Sequence, residues 1–132
     1  MQDRNRADRR IAIITYDARH LKTEQLAIGL DQAGYRNLVF YALPFVSRPS
    51  REILFAHRPD MLGGSATPAM AEYLGAEFVA VSGAQDIPAD GADLFLIAGA
   101  GILPEAFVRA TRGRVLNCHP GIIPLVRGLD SV

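Results

Sequence analysis

Apolar positions along the chain gather into short unbroken runs, and amphipathic segments separate them. Ile11 to Tyr16 (IAIITY) is continuous and β-branched, the pattern of a strand buried on both faces. Arg19 to Gly34 reads as helix, with Leu26, Leu30 and Ala33 at i, i+4 and i+7 and Gly34 as the stop. Leu38 to Leu43 is a second strand, closed by Pro44. Pro49, Pro59, Gly63 and Gly64 break Pro44 to Ser65 into turns, with one helical turn around Arg51 to Ala56. Thr67 and Pro68 supply a hydroxyl N-cap and a proline at the first position of a helix that ends at Gly75. Glu77 to Val81 is a short strand, and Leu94 to Ala98 (LFLIA) is another, fully apolar. Pro104 opens a helix ending near Gly113, and Val115 to Cys118 is the last strand. Strands alternating with helices predict an α/β fold: a mainly parallel, Rossmann-like sheet of about five strands with helices on both faces.

Size and charge narrow the functional classes. The 132 residues suffice for one domain, here 11–132, preceded by a disordered basic tail over 1–10 with four arginines and two aspartates. Lysine plus arginine and aspartate plus glutamate each number 14, so no basic field points to nucleic acid or an anionic membrane. A single cysteine excludes an intrachain disulfide scaffold. No apolar stretch approaches the roughly 18–20 residues that span a bilayer. Ile11 to Tyr16 is too short for a signal core, so a cytoplasmic location is expected.

In parallel sheets of this kind, ligands gather beyond the carboxyl ends of the strands. Four segments qualify: Asp17 to Lys22, Ser82 to Asp86, Gly99 to Leu103 and Asn117 to Gly128. Gly99-Ala100-Gly101 follows a strand, but Pro104 replaces the third glycine of a dinucleotide fingerprint and no acidic residue is placed for a ribose. The loop instead suits close approach of backbone to a flat ligand. Arg19, His20 and Lys22 either hold a phosphate or carboxylate of the substrate or form a solvated helix start. Arg48, Arg51, His57 and Arg58 read as surface residues. Cys118 and His119 are neighbours on a strand and point to opposite faces, so they are not a catalytic pair, and Cys118 reads as core filler. Zinc would need His20, His57 and His119 to converge, and no ligand spacing supports a metal site.

The richest segment is Leu116 to Gly128, LNCHPGIIPLVRG. Asn117 and His119 are two apart at a strand end and share one face. Pro120 ends the strand, and Gly121, Pro124 and Gly128 shape a stiff loop. An amide beside an imidazole suits acyl transfer to an amine: the amide donates to a developing oxyanion and the imidazole manages the proton. A buried, hydrogen-bonded Asn/His pair that merely closes a loop has the same spacing.

This segment closely resembles the signature of the folate-dependent formyltransferases: Asn-x-His-Pro, a small residue, two aliphatics, Pro, a spacer, then a basic residue and Gly. Here these are Asn117, His119, Pro120, Gly121, Ile122, Ile123, Pro124, Arg127 and Gly128. Upstream, LFLIAGAGIL (Leu94 to Leu103) resembles the family's aliphatic strand, Ala-Gly and loop ending Ile-Leu. The resemblance implies transfer of a formyl group from 10-formyltetrahydrofolate to a primary amine of a small metabolite or nucleotide-linked amino sugar. By the same resemblance Asn117 polarises the formyl oxygen and His119 is the acid/base group. Ala98, Gly99, Ala100, Gly101, Ile102 and Leu103, with Pro120, line a pterin pocket whose other wall includes Ser82. Arg19, His20, Lys22 and Arg127 are left for the acceptor.

Three departures accompany the resemblance. The loop after Gly99 is one residue shorter than in the purine-pathway members, with Ala100-Gly101 in place of larger side chains. TYDARHLK stands where those members carry a phosphate loop and where the methionyl-tRNA members carry a different turn, which disfavours both acceptors. The family's catalytic aspartate lies a few dozen residues beyond the histidine, and the sequence ends at Val132. The chain is therefore expected to be the N-terminal part of a longer enzyme and a poor catalyst alone. A non-catalytic α/β module of the same lineage, binding folate or a nucleotide, is the alternative. An unfinished sheet would leave apolar surface for a homo-oligomer to cover.

Overall fold

The computed structural model describes residues 5–47 and 63–118. A 3-10 turn over Arg6–Asp8 leads into β1 (Arg10–Tyr16), α1 (Leu21–Gln32) and β2 (Asn37–Leu43). After 48–62 come α2 (Thr67–Leu74), β3 (Glu77–Ala80), a second 3-10 turn (Ala84–Asp86), β4 (Leu94–Ile97), α3 (Glu105–Ala110) and β5 (Val115–Asn117). Every strand pair is parallel, in the order β3-β2-β1-β4-β5. The chain builds outward from β1 through β2 to β3, returns across the sheet, and builds outward again through β4 to β5. This is the doubly wound α/β architecture that the alternation of runs predicts.

Period-two alternation along β1 and β2 feeds two cores. Ile13 and Phe40 pack with Ala27 of α1 and with Met70 and Ala71 of α2 on one face. Ala12, Ile14, Val39, Tyr41 and Phe95 pack on the other with Ala84, Ile87, Ala92 and Phe107 of α3. The central strands are buried from Ile11 to Thr15 and from Leu38 to Ala42, which explains why both read as unbroken apolar runs. The edge strand β3 is half-exposed.

Several boundaries differ from the sequence reading. Arg10 belongs to β1 rather than to a tail. The first helix starts at Leu21 rather than Arg19, because Arg19 forms an antiparallel bridge with Ala66 and His20 is extended at φ −152°. Its buried residues are Thr23 and Ala27, with Leu26 and Leu30 packed alongside, while Ala33 lies exposed at the C-cap. Thr67 is not an N-cap: Ala66 takes that place, and the Thr67 hydroxyl donates to the carbonyls of Tyr16 and Ala18, tying α2 to the end of β1. Gly75 does end α2, at φ 62°. α3 stops at Ala110, before the positive-φ residues Arg112 and Gly113. Cys118 is exposed rather than core filler. The helical turn expected at Arg51 to Ala56 lies outside the described residues, as do Arg48, His57 and Arg58.

Two arginines bind together the amino ends of the strands. Arg10 donates from Nε to the Gly91 carbonyl, from one terminal nitrogen to Asn37 Oδ1 and from the other to Glu77. Its backbone N–H donates to Asp93 Oδ2 at 2.9 Å. Arg114 donates to the carbonyls of Thr111, Ala92 and Ala89. Arg10→Met keeps the apolar stem and removes the fork, leaving a part-buried carbonyl and amide without their donor. We expect a loss of about 1–3 kcal/mol, read as a lower urea midpoint at unchanged m-value, with Arg10→Lys falling between.

Candidate functional site

Where the strand order reverses, the carboxyl ends of β1 and β4 lie side by side and their loops diverge to opposite faces of the sheet. The two loops touch. A Cβ on Gly99 would sit 2.7 Å from Tyr16 Cε2, so the Tyr16 ring would have to shift, and 3.2 Å from His20 Cε1, a tight contact. Glycine is therefore needed here for close approach. The flat groups that the Gly99 backbone approaches are the rings of Tyr16 and His20. Tyr16 makes edge contacts with His20 (5.9 Å between centroids) and with Phe45 (5.6 Å), and Phe45 is exposed.

The backbone of the β4 loop divides into two parts. The N–H groups of Ala98 and Gly99 both donate to the Ile14 carbonyl, at 3.0 and 3.1 Å. They extend the sheet and are not free to read a ligand edge. Among the described residues the N–H groups of Ala100, Gly101, Ile102 and Leu103 have no hydrogen-bond partner. Ile102 is fully exposed, and Gly101 has open space around its Cα.

His20 faces inward through one nitrogen. Its Nδ1 lies 2.8 Å from Thr23 Oγ1, which lies 2.6 Å from Thr15 Oγ1. Thr15 and Thr23 are both buried, Thr15 completely. Burial pushes the His20 pKa below its ordinary 6.5, and the charge of Lys22 pushes the same way. Because the folded value lies below the unfolded one, acid protonates the unfolded chain first. His20 therefore contributes stability above pH 6.5 that is lost as pH falls toward its folded-state value. His20→Gln should remove that part of the decline in unfolding midpoint between pH 7 and pH 5. Parallel pH profiles for the two proteins would refute this inward, neutral imidazole.

The other expected site residues distribute as follows. Asn117 ends β5, in register with Ile97 of β4, and its side chain is exposed. Ser82 is exposed just beyond β3, and β3 stands three strand positions from β4, roughly 14 Å across the sheet. The Ser82 neighbours Val81 and Ala84 belong to the same apolar cluster as Ala100 and Leu103 of the Gly99 loop. Arg19 is exposed and Lys22 half-buried, both on the β1 side. His119, Pro120 and Arg127 lie outside the described residues. Asp93 cannot orient a histidine at this end, because it is bound to Arg10 at the opposite end of β4. No group of three or more metal-ligating side chains forms among the described residues.

Sequence reasoning missed Tyr16, Phe45 and the Thr15–Thr23 pair. A signal for the pair was present: Thr15 is the one hydroxyl inside an apolar run, and a buried hydroxyl requires a partner. Nothing local indicated that the partner would be Thr23, or that His20 would join them. No helix among the described residues is long and apolar enough to cross a membrane. No family model, curated protein or solved structure matches this chain.

Proposed function

We propose that this chain transfers a formyl group from 10-formyltetrahydrofolate to a primary amine of a small metabolite or nucleotide-linked amino sugar. One observation carries the reading. The two segments that resemble the folate-dependent formyltransferases are separate in sequence, yet Ile97 and Asn117 are paired residues of adjacent parallel strands. The Gly99 loop and the Asn117 end therefore leave the sheet side by side, at its carboxyl edge. Four backbone N–H groups that have no partner among the described residues, and the apolar tip at Ile102, suit a flat heterocycle with a polar edge.

In this reading the amine nitrogen attacks the formyl carbon, and the Asn117 amide donates to the oxygen as negative charge develops on it. His119 takes the proton that the nitrogen sheds and returns one to the departing folate nitrogen, breaking the old carbon–nitrogen bond as the new one is kept. The test is a radiolabelled formyl-transfer assay on the gene's full product with a panel of primary amines. It is run beside equilibrium binding of 5-formyltetrahydrofolate, a stable formyl-bearing folate. Transfer that depends on His119 supports the enzyme. Folate binding without transfer to any amine assigns the chain to a non-catalytic module. Neither binding nor transfer refutes both.

A further inference from the structure

The hydrogen-bond chain behind His20 has a direction, and that direction decides what the histidine shows to the crevice. Two links join three atoms: Thr15 Oγ1 to Thr23 Oγ1 at 2.6 Å, and Thr23 Oγ1 to His20 Nδ1 at 2.8 Å. Among the described residues the side chains of Thr15, Thr23 and His20 make no other hydrogen bond. Each hydroxyl brings one hydrogen. If Nδ1 is bare, two hydrogens fill two links: Thr15 donates to Thr23, and Thr23 donates to Nδ1. If Nδ1 carries a hydrogen, three hydrogens compete for two links. One hydroxyl hydrogen is then stranded where Thr15 and Thr23 are 0% and 2% exposed. A stranded buried donor is costly, so the arrangement favours a bare Nδ1 and places the ring hydrogen on Nε2.

Among the described residues Nε2 has no hydrogen-bond partner, and no buried side-chain polar atom there lacks one, so Nε2 is accessible. Around the ring stand Tyr16 from β1, the Gly99 backbone after β4 and Lys22 from α1, and of these only Lys22 is charged. Among the described residues no carboxylate is in position to favour the imidazolium.

We propose that Thr15 and Thr23 form a two-hydroxyl lock that holds His20 as the neutral Nε2–H tautomer. The crevice at the β1–β4 reversal thereby presents a hydrogen-bond donor, and takes an oxygen acceptor of its ligand there rather than an amine. A carbonyl, carboxylate or phosphate oxygen meets this requirement. The two threonines are positioning residues, and His20 is the group that meets the ligand. The inference does not depend on formyl transfer, since the lock exists in the free protein.

The experiment is long-range proton–nitrogen NMR on the full chain with labelled histidine, without any ligand. At pH 7, His20 should show hydrogen on Nε2 only and an Nδ1 shift typical of a hydrogen-bond acceptor. A hydrogen on Nδ1, or a mixture of tautomers, overturns the proposal, because the crevice would then face an acceptor suited to an amine. Thr23→Val keeps the shape of the side chain and removes the hydroxyl that donates to Nδ1. It should move the Nδ1 shift away from the hydrogen-bonded acceptor value. A folded Thr23→Val protein with an unchanged Nδ1 shift also overturns the proposal. If that variant does not fold, the wild-type tautomer decides.

Discussion

Asn117→Ala is expected to lower turnover by about 10²–10³-fold while leaving KM for the formyl donor nearly unchanged. Removal of one oxyanion donor costs this much in acyl-transfer sites where the effect is confined to the transition state. The amide would meet the formyl oxygen most strongly when that oxygen carries charge, so the loss belongs in kcat rather than KM. Asn117 is exposed at the end of β5, and trimming it leaves the sheet intact. Its effect on stability should stay within about 0.5 kcal/mol, so lost activity cannot be charged to unfolding. Asn117→Asp has nearly the same shape but should be no better than alanine, because its carboxylate repels the oxyanion. Steady-state kinetics and thermal unfolding of the same preparations separate these effects. Unchanged kcat in the alanine variant would remove Asn117 from the chemistry.

Phe95→Ala should produce the largest loss of stability of any substitution considered. Phe95 is 0% exposed in the middle of the four-residue strand β4. It sits between Ala12 of β1 and Val115 of β5, and meets the Phe107 ring of α3 edge-on at 5.6 Å. Removing the ring leaves a cavity among the side chains of its apolar cluster, Phe107 included. Losses of about 3–5 kcal/mol are usual for such sites, a large share of the 5–15 kcal/mol that holds a typical domain together. The melting temperature should fall by roughly 10–20 °C. Phe95→Leu should retain most of the packing and lose less than half as much. Because β4 also carries the Gly99 loop, the alanine variant should lose ligand binding together with stability. A loss below about 1 kcal/mol would mean that α3 does not depend on this contact.

The sequence was most legible where burial on both faces leaves a continuous signal. β1 and β2 were readable as runs, since central parallel strands have no solvent face to interrupt them. The alternation of runs with helices was enough to predict the parallel sheet. Helix starts were harder, because Arg19, His20 and Thr67 are held by contacts with distant residues. The bridge to Ala66 and the bonds to Tyr16 and Ala18 cannot be read from local spacing. Cys118 was misread because its strand ends one residue earlier, at Asn117. For the site, the sequence placed the loop after β1 and the loop after β4 at the carboxyl ends of parallel strands, and the sheet order sets those two ends side by side. It could not say that these loops touch, because that depends on strand order, which no run of residues encodes locally. His20 was weighed as an anion contact beside Arg19 and Lys22, while its inward bond depends on two threonines that carry no motif.

The arginine fork at the start of β1 and its counterpart before β5 have a practical consequence. Between them, Arg10 and Arg114 hold Asn37 at the start of β2, Glu77 at the start of β3 and the segment leading into β4. Parallel strands lack the tight hairpins that set register elsewhere, so these guanidinium contacts fix where each strand begins. The carboxyl rim is fastened after β1, by the Thr67 bonds to Tyr16 and Ala18 and the Arg19–Ala66 bridge, whereas among the described residues the N–H groups of Ala100 to Leu103 after β4 make no hydrogen bond. A library that randomises Ala100 to Leu103 would therefore explore new specificities on a frame whose alignment is set elsewhere. The same library built at the other rim would mostly return unfolded chains.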